Sequence, residues 1–151
     1  MADIIANPKA RREYEILETF EAGLALRGSE VKSIRAGKAN IRDAFVRIMD
    51  GEAWLLNAHI DEYEKANRFN HDPKAPRKLL LHKSEIRRLA GLASQKGATL
   101  VPLAFYWKNG KVKVSIGVGR GKREFDKRET IRRRETERML KRALMRSLKQ
   151  G

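Results

Sequence analysis

Thr99-Leu100-Val101-Pro102-Leu103-Ala104-Phe105-Tyr106-Trp107-Lys108-Asn109-Gly110-Lys111-Val112-Lys113-Val114-Ser115-Ile116-Gly117-Val118 reads as two strands joined by a tight turn. Asn109-Gly110 suits the two left-handed positions of a type I′ hairpin turn. Beyond it, Val112, Val114, Ile116 and Val118 alternate with Lys111, Lys113 and Ser115, the period-2 pattern of a half-buried strand. Before it, Phe105 and Trp107 share one face and Tyr106 takes the other. Pro102 has no N–H to give a ladder, so it belongs at an edge or a bulge.

The pattern repeats on a smaller scale upstream. Ala44–Met49 and Glu52–Leu56 are strand-like and flank Asp50-Gly51, a second I′ dipeptide. Further strands are expected at about Glu13–Phe20 and Lys78–Leu81. A helix is expected over Lys83–Gln95, with Ser84 as N-cap, Ile86, Leu89, Ala90 and Ala93 at helical spacing, and Gly97 beyond its end. A shorter one is expected from Ser29 to Gly37, with Val31 and Ile34 inward. Asp61–Arg77, polar and holding Pro73 and Pro76, reads as a long loop. Some six short strands with intervening helices predict a small closed β-barrel, an architecture that hides its sheet edges and often binds oligonucleotides.

Charge points the same way. The 151 residues carry 34 Lys+Arg against 19 Asp+Glu, a formal +15. Residues 119–151 alone hold 13 of those cations and 5 of those acids. A body (1–120) and a basic tail (121–151) are therefore expected, with Gly117, Gly119 and Gly121 as a flexible hinge between them. The body suits a polyanionic partner. The tail's apolar stripe, Leu140, Leu144 and Leu148, is too thin to tie the whole segment down, so it is expected to be disordered when free and helical when bound.

Chemistry is mostly excluded. With no cysteine there is no disulfide, thiolate metal site or Cys nucleophile. His59, His71 and His82 are too scattered for a local metal motif, and neither a nucleophile elbow nor a Walker-type phosphate loop occurs. No catalytic residue, metal or cofactor is expected. No apolar run is long enough to span a membrane. The start, Met1 to Lys9, lacks a basic-then-apolar leader, so a cytoplasmic protein is expected.

Several motifs, in order, resemble one bacterial family. They are Asn7-Pro8-Lys9-Ala10-Arg11-Arg12 with Tyr14, Glu21-Ala22-Gly23-Leu24-Ala25-Leu26, Gly28-Ser29-Glu30-Val31-Lys32-Ser33 and Arg35-Ala36-Gly37-Lys38. They continue through Gly51–Leu55, Arg77–Leu81 and Leu103–Trp107 to Gly121-Lys122-Arg123 and Asp126-Lys127-Arg128. Together they resemble the SsrA-binding protein (small protein B) family, the partner of transfer-messenger RNA. The resemblance implies a mainly β fold, a small closed six-stranded OB-like β-barrel with two to three embedded helices and the basic C-terminal tail. It implies trans-translation: binding the tRNA-like domain of transfer-messenger RNA, standing in for its missing anticodon arm, and delivering the alanylated RNA with elongation factor Tu to stalled ribosomes. The protein would carry no chemistry of its own, and a monomer is expected. A reading from another class is a basic structural ribosomal protein with a barrel core and an rRNA-binding tail.

By the resemblance, the RNA-facing residues of the body are Asn7, Lys9, Arg11, Arg12, Glu21, Glu30, Lys32, Arg35, Lys38 and Leu80. Cations would pair with phosphates. Glu21 and Glu30 would accept from a base or 2′-OH, or orient an arginine. Gly121, Lys122, Arg123, Phe125, Asp126, Lys127 and Arg128 would carry ribosome binding at the decoding centre and empty mRNA channel. Tyr14, Tyr106 and Trp107 are candidates for stacking on bases, whereas Phe105 and Trp54 are expected in the core.

Overall fold

The computed structural model of the chain describes residues 3–63, 70–122 and 127–150, and in the last helix the side chains of 134–146. Its elements run β1 (Asp3–Ala6), α1 (Pro8–Glu13), β2 (Tyr14–Leu24), α2 (Gly28–Arg35), β3 (Ala39–Asn40), β4 (Phe45–Met49), β5 (Glu52–Leu56), β6 (His59–Ile60), β7 (Arg77–Leu80), α3 (Lys83–Ala93), β8 (Ala98–Lys108), β9 (Lys111–Gly121) and α4 (Lys127–Gln150). Both hairpins form as their dipeptides require. Asp50 and Gly51 take φ of 52° and 75°, and Asn109 and Gly110 take 53° and 73°. No helix among the described residues is long and apolar enough to cross a membrane.

Seven strands pair in the order β1-β8-β9-β2-β7-β5-β4, and β3 pairs with β6 alone. The expected closed six-stranded barrel is not what this pairing makes, because no ladder among the described residues joins β4 back to β8 or β1. The chemistry of β8 accounts for the open seam. Pro102 withholds a donor, the register slips between Pro102 and Ala104, and β1 pairs only with residues further along, at Ala104 to Tyr106. β4 comes to rest near the first half of β8, and a cleft of about 660 Å³ at the seam is lined by Val46, Ala93, Leu100 and Glu137 of α4.

The inner face of the sheet is the core. Ala22, Ala53, Leu55, Leu79, Phe105, Val114 and Ile116 are all nearly inaccessible, with Ile34 of α2 and Leu89 of α3 closing the two ends. Trp54, expected among them, instead lies half-buried, opposite Arg47 on β4 and Lys78 on β7. It shares the outer face because directly opposed residues point the same way.

A second small cluster joins Ala10, Tyr14, Val101 and Leu103. Tyr14 is buried there and offers no ring to a base. This cluster also corrects the hinge. Gly117, Gly119 and Gly121 all lie in β9, paired with β2. A Cβ on Gly119 would stand 2.8 Å from Tyr14 Cβ, and one on Gly117 would stand 3.0 Å from Leu103 Cδ1. The glycines let the strand and the second cluster close on each other. Gly119→Ala is therefore expected to destabilise the body by about 1–3 kcal/mol. Urea unfolding measures it, and a change within experimental scatter would restore the hinge reading.

The tail also differs from expectation: α4 is helical in the chain alone. Its Leu144 is buried, and Glu137 Oε2 meets Arg47 Nε at 3.2 Å. The helix therefore leans on the outer side of β4. Arg123, Phe125 and Asp126 lie outside the described residues, as do the side chains of Lys127 and Arg128.

Candidate nucleic-acid interface

Antiparallel register assembles a row of side chains across four strands. Tyr106 stands opposite Lys113, Lys113 opposite Gly23, and Gly23 opposite Leu80. Opposed residues share a face, so all four lie on the outer side of the sheet. Gly23 matters for its missing side chain. A Cβ there would come 3.2 Å from Leu80 Cβ and 3.5 Å from Lys113 Nζ, so glycine lets an apolar and a cationic group close over one strand. Leu80 is 52% exposed, a large apolar side chain held out to solvent. Lys108 and Lys111 close the same end of the sheet.

Glu21 sits on the next row, opposite Ser115. The Tyr106 hydroxyl donates to its Oε2 at 2.5 Å, and Lys108 Nζ reaches both oxygens at 3.0 and 3.2 Å. The Tyr106 hydrogen bond, then Lys108, hold its carboxyl below the ordinary 4.5. Burial, reinforced by Glu21, pushes the Tyr106 phenol up. Glu21 is thus ionised at neutral pH, and these contacts weaken only as pH falls through its lowered folded value. The exposed carboxylate can accept beyond the three hydrogen bonds it takes here, while neighbouring cations offset its repulsion of phosphate.

Two expected contact residues turn out to be internal. Asn7 is buried; its Nδ2 donates to the Ile41 and Pro102 carbonyls at 3.1 and 2.8 Å, and its Oδ1 accepts from Ala10 N–H at 3.2 Å. It caps α1, with Pro8 supplying the helical φ at the first position. Glu30 is also buried, and it accepts from Arg77 Nε at 2.6 Å and from the Arg27 N–H at 2.8 Å. Arg77 donates further to the Ala58 and Asp72 carbonyls at 2.7 and 3.1 Å. His71 strengthens the same junction: Nε2–H donates to the Ile60 carbonyl at 2.8 Å, and Nδ1 meets Ser29 Oγ at 2.8 Å. These residues fix α2 against the sheet and the 70–76 stretch.

The exposed cations divide between the two ends of β2. Arg35 lies 5.2 Å from the Trp107 ring centroid and Lys32 5.4 Å from that of Tyr63, both on the side of α2 near the β8–β9 turn. Trp107 is half-buried with Arg35 over it, so the ring orients a guanidinium. Lys38 is exposed just past α2. Lys9, Arg11 and Arg12 lie on α1, at the opposite end of β2, roughly 33 Å away by strand rise. Lys9 pairs with Asp43 at 3.0 Å, which raises its pKa, and Arg11 and Arg12 are exposed. Lys122 joins them: its Nζ donates to the Arg11 carbonyl at 3.2 Å, and its N–H to the Glu13 carbonyl at 3.0 Å. Gly121 pairs with Tyr14 at this end. The first-motif cations and the root of the tail therefore form one patch.

Lys108, Lys111 and Lys113 are the residues that sequence reading missed as candidates. The alternation of Lys111 and Lys113 on β9 was legible, but its meaning came from register with Gly23 and Leu80. Among the described residues, no group of three or more His, Asp and Glu could hold a metal ion.

The SmpB protein family model matches residues 4–146. The chain belongs to the SmpB protein family. An SsrA-binding protein of Desulforudis audaxviator is 57% identical over 93% of this chain and 92% of its own length. One from Thermosynechococcus vestitus is 59% identical over 91% of both chains. A solved SmpB-type structure, described as "tmRNA-SmpB: a journey to the center of the bacterial ribosome", matches with a TM-score of 0.68 at 51% identity. It covers 91% of this SmpB family member and 93% of that chain.

Proposed function

We propose that this chain binds the tRNA-like domain of transfer-messenger RNA and carries it to stalled ribosomes for trans-translation. It acts as an adaptor without chemistry of its own, as a monomer in the cytoplasm. The observation that supports the reading most is identity of 57% to an SsrA-binding protein across 93% of the chain. The outer face supplies a physical means. Lys108, Lys111 and Lys113 pair with phosphates, and exposed Leu80 packs on a ribose or base. Glu21, oriented by Tyr106 and Lys108, accepts from a 2′-OH or a base amino group, the contacts that distinguish RNA. Asn7 and Glu30 position α1 and α2, whose Arg11, Arg12, Lys32 and Arg35, with Lys38 just beyond α2, add the long-range attraction. The patch at Lys9, Arg11, Arg12 and Lys122 leads into the tail, and Gly121 to Arg128 serve the ribosome. Elongation factor Tu accompanies the charged RNA.

The test is affinity for a transcript of that tRNA-like domain across salt concentrations. Six or more phosphate contacts imply a loss of about 10³–10⁵ between roughly 50 and 200 mM salt. A flat response would sink the reading. Leu80→Ala is expected to cost about 1–2 kcal/mol of binding, roughly tenfold, with the salt slope unchanged. Its exposure predicts little effect on folding.

A further inference from the structure

An open groove of about 1020 Å³ runs from the Glu21–Leu80 face to the start of α3, and its far bank has no assigned role. Its floor is apolar, with Ile48, Leu79 and Ile86. Three acids line it, and each is already engaged. Glu21 is held by Tyr106 and Lys108, Glu52 faces Lys78 at 3.6 Å, and Glu85 accepts from the His82 N–H at 3.1 Å. Besides Lys78, three further cations line it. Lys83 and Arg87 on α3 are exposed, Lys113 is half-buried on β9, and none of the three makes an ion pair or hydrogen bond among the described residues. Elsewhere on α3, Arg88 shows the contrast by gripping Glu18 with two hydrogen bonds, at 3.0 and 2.9 Å.

We propose that this groove seats the phosphodiester backbone of the bound RNA, with Lys83 and Arg87 as phosphate-binding residues on the α3 bank. The proposal rests on the RNA-binding reading and extends it by one strand of contact. Charge complementarity carries it. The acids are neutralised locally, Lys113 helping to offset Glu21, and Lys83 and Arg87 stand without an acid partner across a groove continuous with Leu80 and Lys113. The helix start itself is closed by Glu85, so the anion is held by side chains.

The full-length chain and the tRNA-like transcript test this. Lys83→Gln/Arg87→Gln is expected to weaken binding at low salt and reduce the salt slope by about two. The deficit then narrows about tenfold between roughly 50 and 200 mM salt. Lys83→Arg/Arg87→Lys keeps the slope, and Lys74→Gln/Lys96→Gln, the same charge change outside the groove, leaves the slope closer to the wild type. An unchanged slope in the groove variant, with the wild type still salt-dependent, overturns the groove assignment alone, including when binding of a protein partner is lost instead. A flat response in the wild type overturns the RNA reading and the groove together.

Discussion

Arg77→Ala is expected to cost about 3–5 kcal/mol of folding stability, on the order of 10 °C in Tm. The reason is the isolation of Glu30. Both side chains are almost inaccessible, and the guanidinium also satisfies the Ala58 and Asp72 carbonyls. Removing it leaves a buried carboxylate without its partner, a larger loss than the net worth of the pair. An Arg77→Met/Glu30→Met double variant is accordingly expected to recover much of the stability. Thermal and urea unfolding at neutral pH decide the matter. A single-variant loss under about 1 kcal/mol would mean the pair does not hold α2. RNA affinity should fall with stability, since α2 carries Lys32 and Arg35.

The largest functional effect is expected from ending the chain after Gly121. The truncated chain should stay folded, losing the packing of Leu144 and the partly exposed Arg47–Glu137 pair, together about 2–3 kcal/mol. It should still prefer the tRNA-like transcript over unrelated RNA, because the Glu21–Leu80 row and its lysines remain. Rescue of stalled ribosomes should drop to background. Asp126→Ala, Lys127→Ala and Arg128→Ala together should give the same uncoupling with the helix retained. A truncated chain that keeps its Tm and loses RNA discrimination would show that the division of labour between body and tail is wrong.

Local chemistry made part of this legible from sequence. The two I′ turns, the alternation on β9 and the amphipathic run of α3 are decided within a few residues of chain. What local chemistry did not show was set by distant partners. Asn7 meets carbonyls 34 and 95 residues away, and Glu30 meets an arginine 47 residues away, so motif membership suggested contact where packing gives burial. Gly119 looked like a hinge because its steric partner, Tyr14, is at the other end of the body. α1, six residues long, has too little periodicity to announce itself beyond Asn7-Pro8. Barrel closure was unreadable for a related reason, since it depends on whether β4 finds a free edge on β8.

If this basic face is built for one structured RNA, that RNA should travel with the protein. The most direct test is the RNA that copurifies with the full-length chain from a bacterial lysate, washed at moderate salt and sequenced. Transfer-messenger RNA is expected as the dominant species, displaced by excess tRNA-like transcript and depleted in a Glu21→Ala/Leu80→Ala variant. Stoichiometric ribosomal RNA with no enrichment of transfer-messenger RNA would contradict this and favour a structural protein of the ribosome.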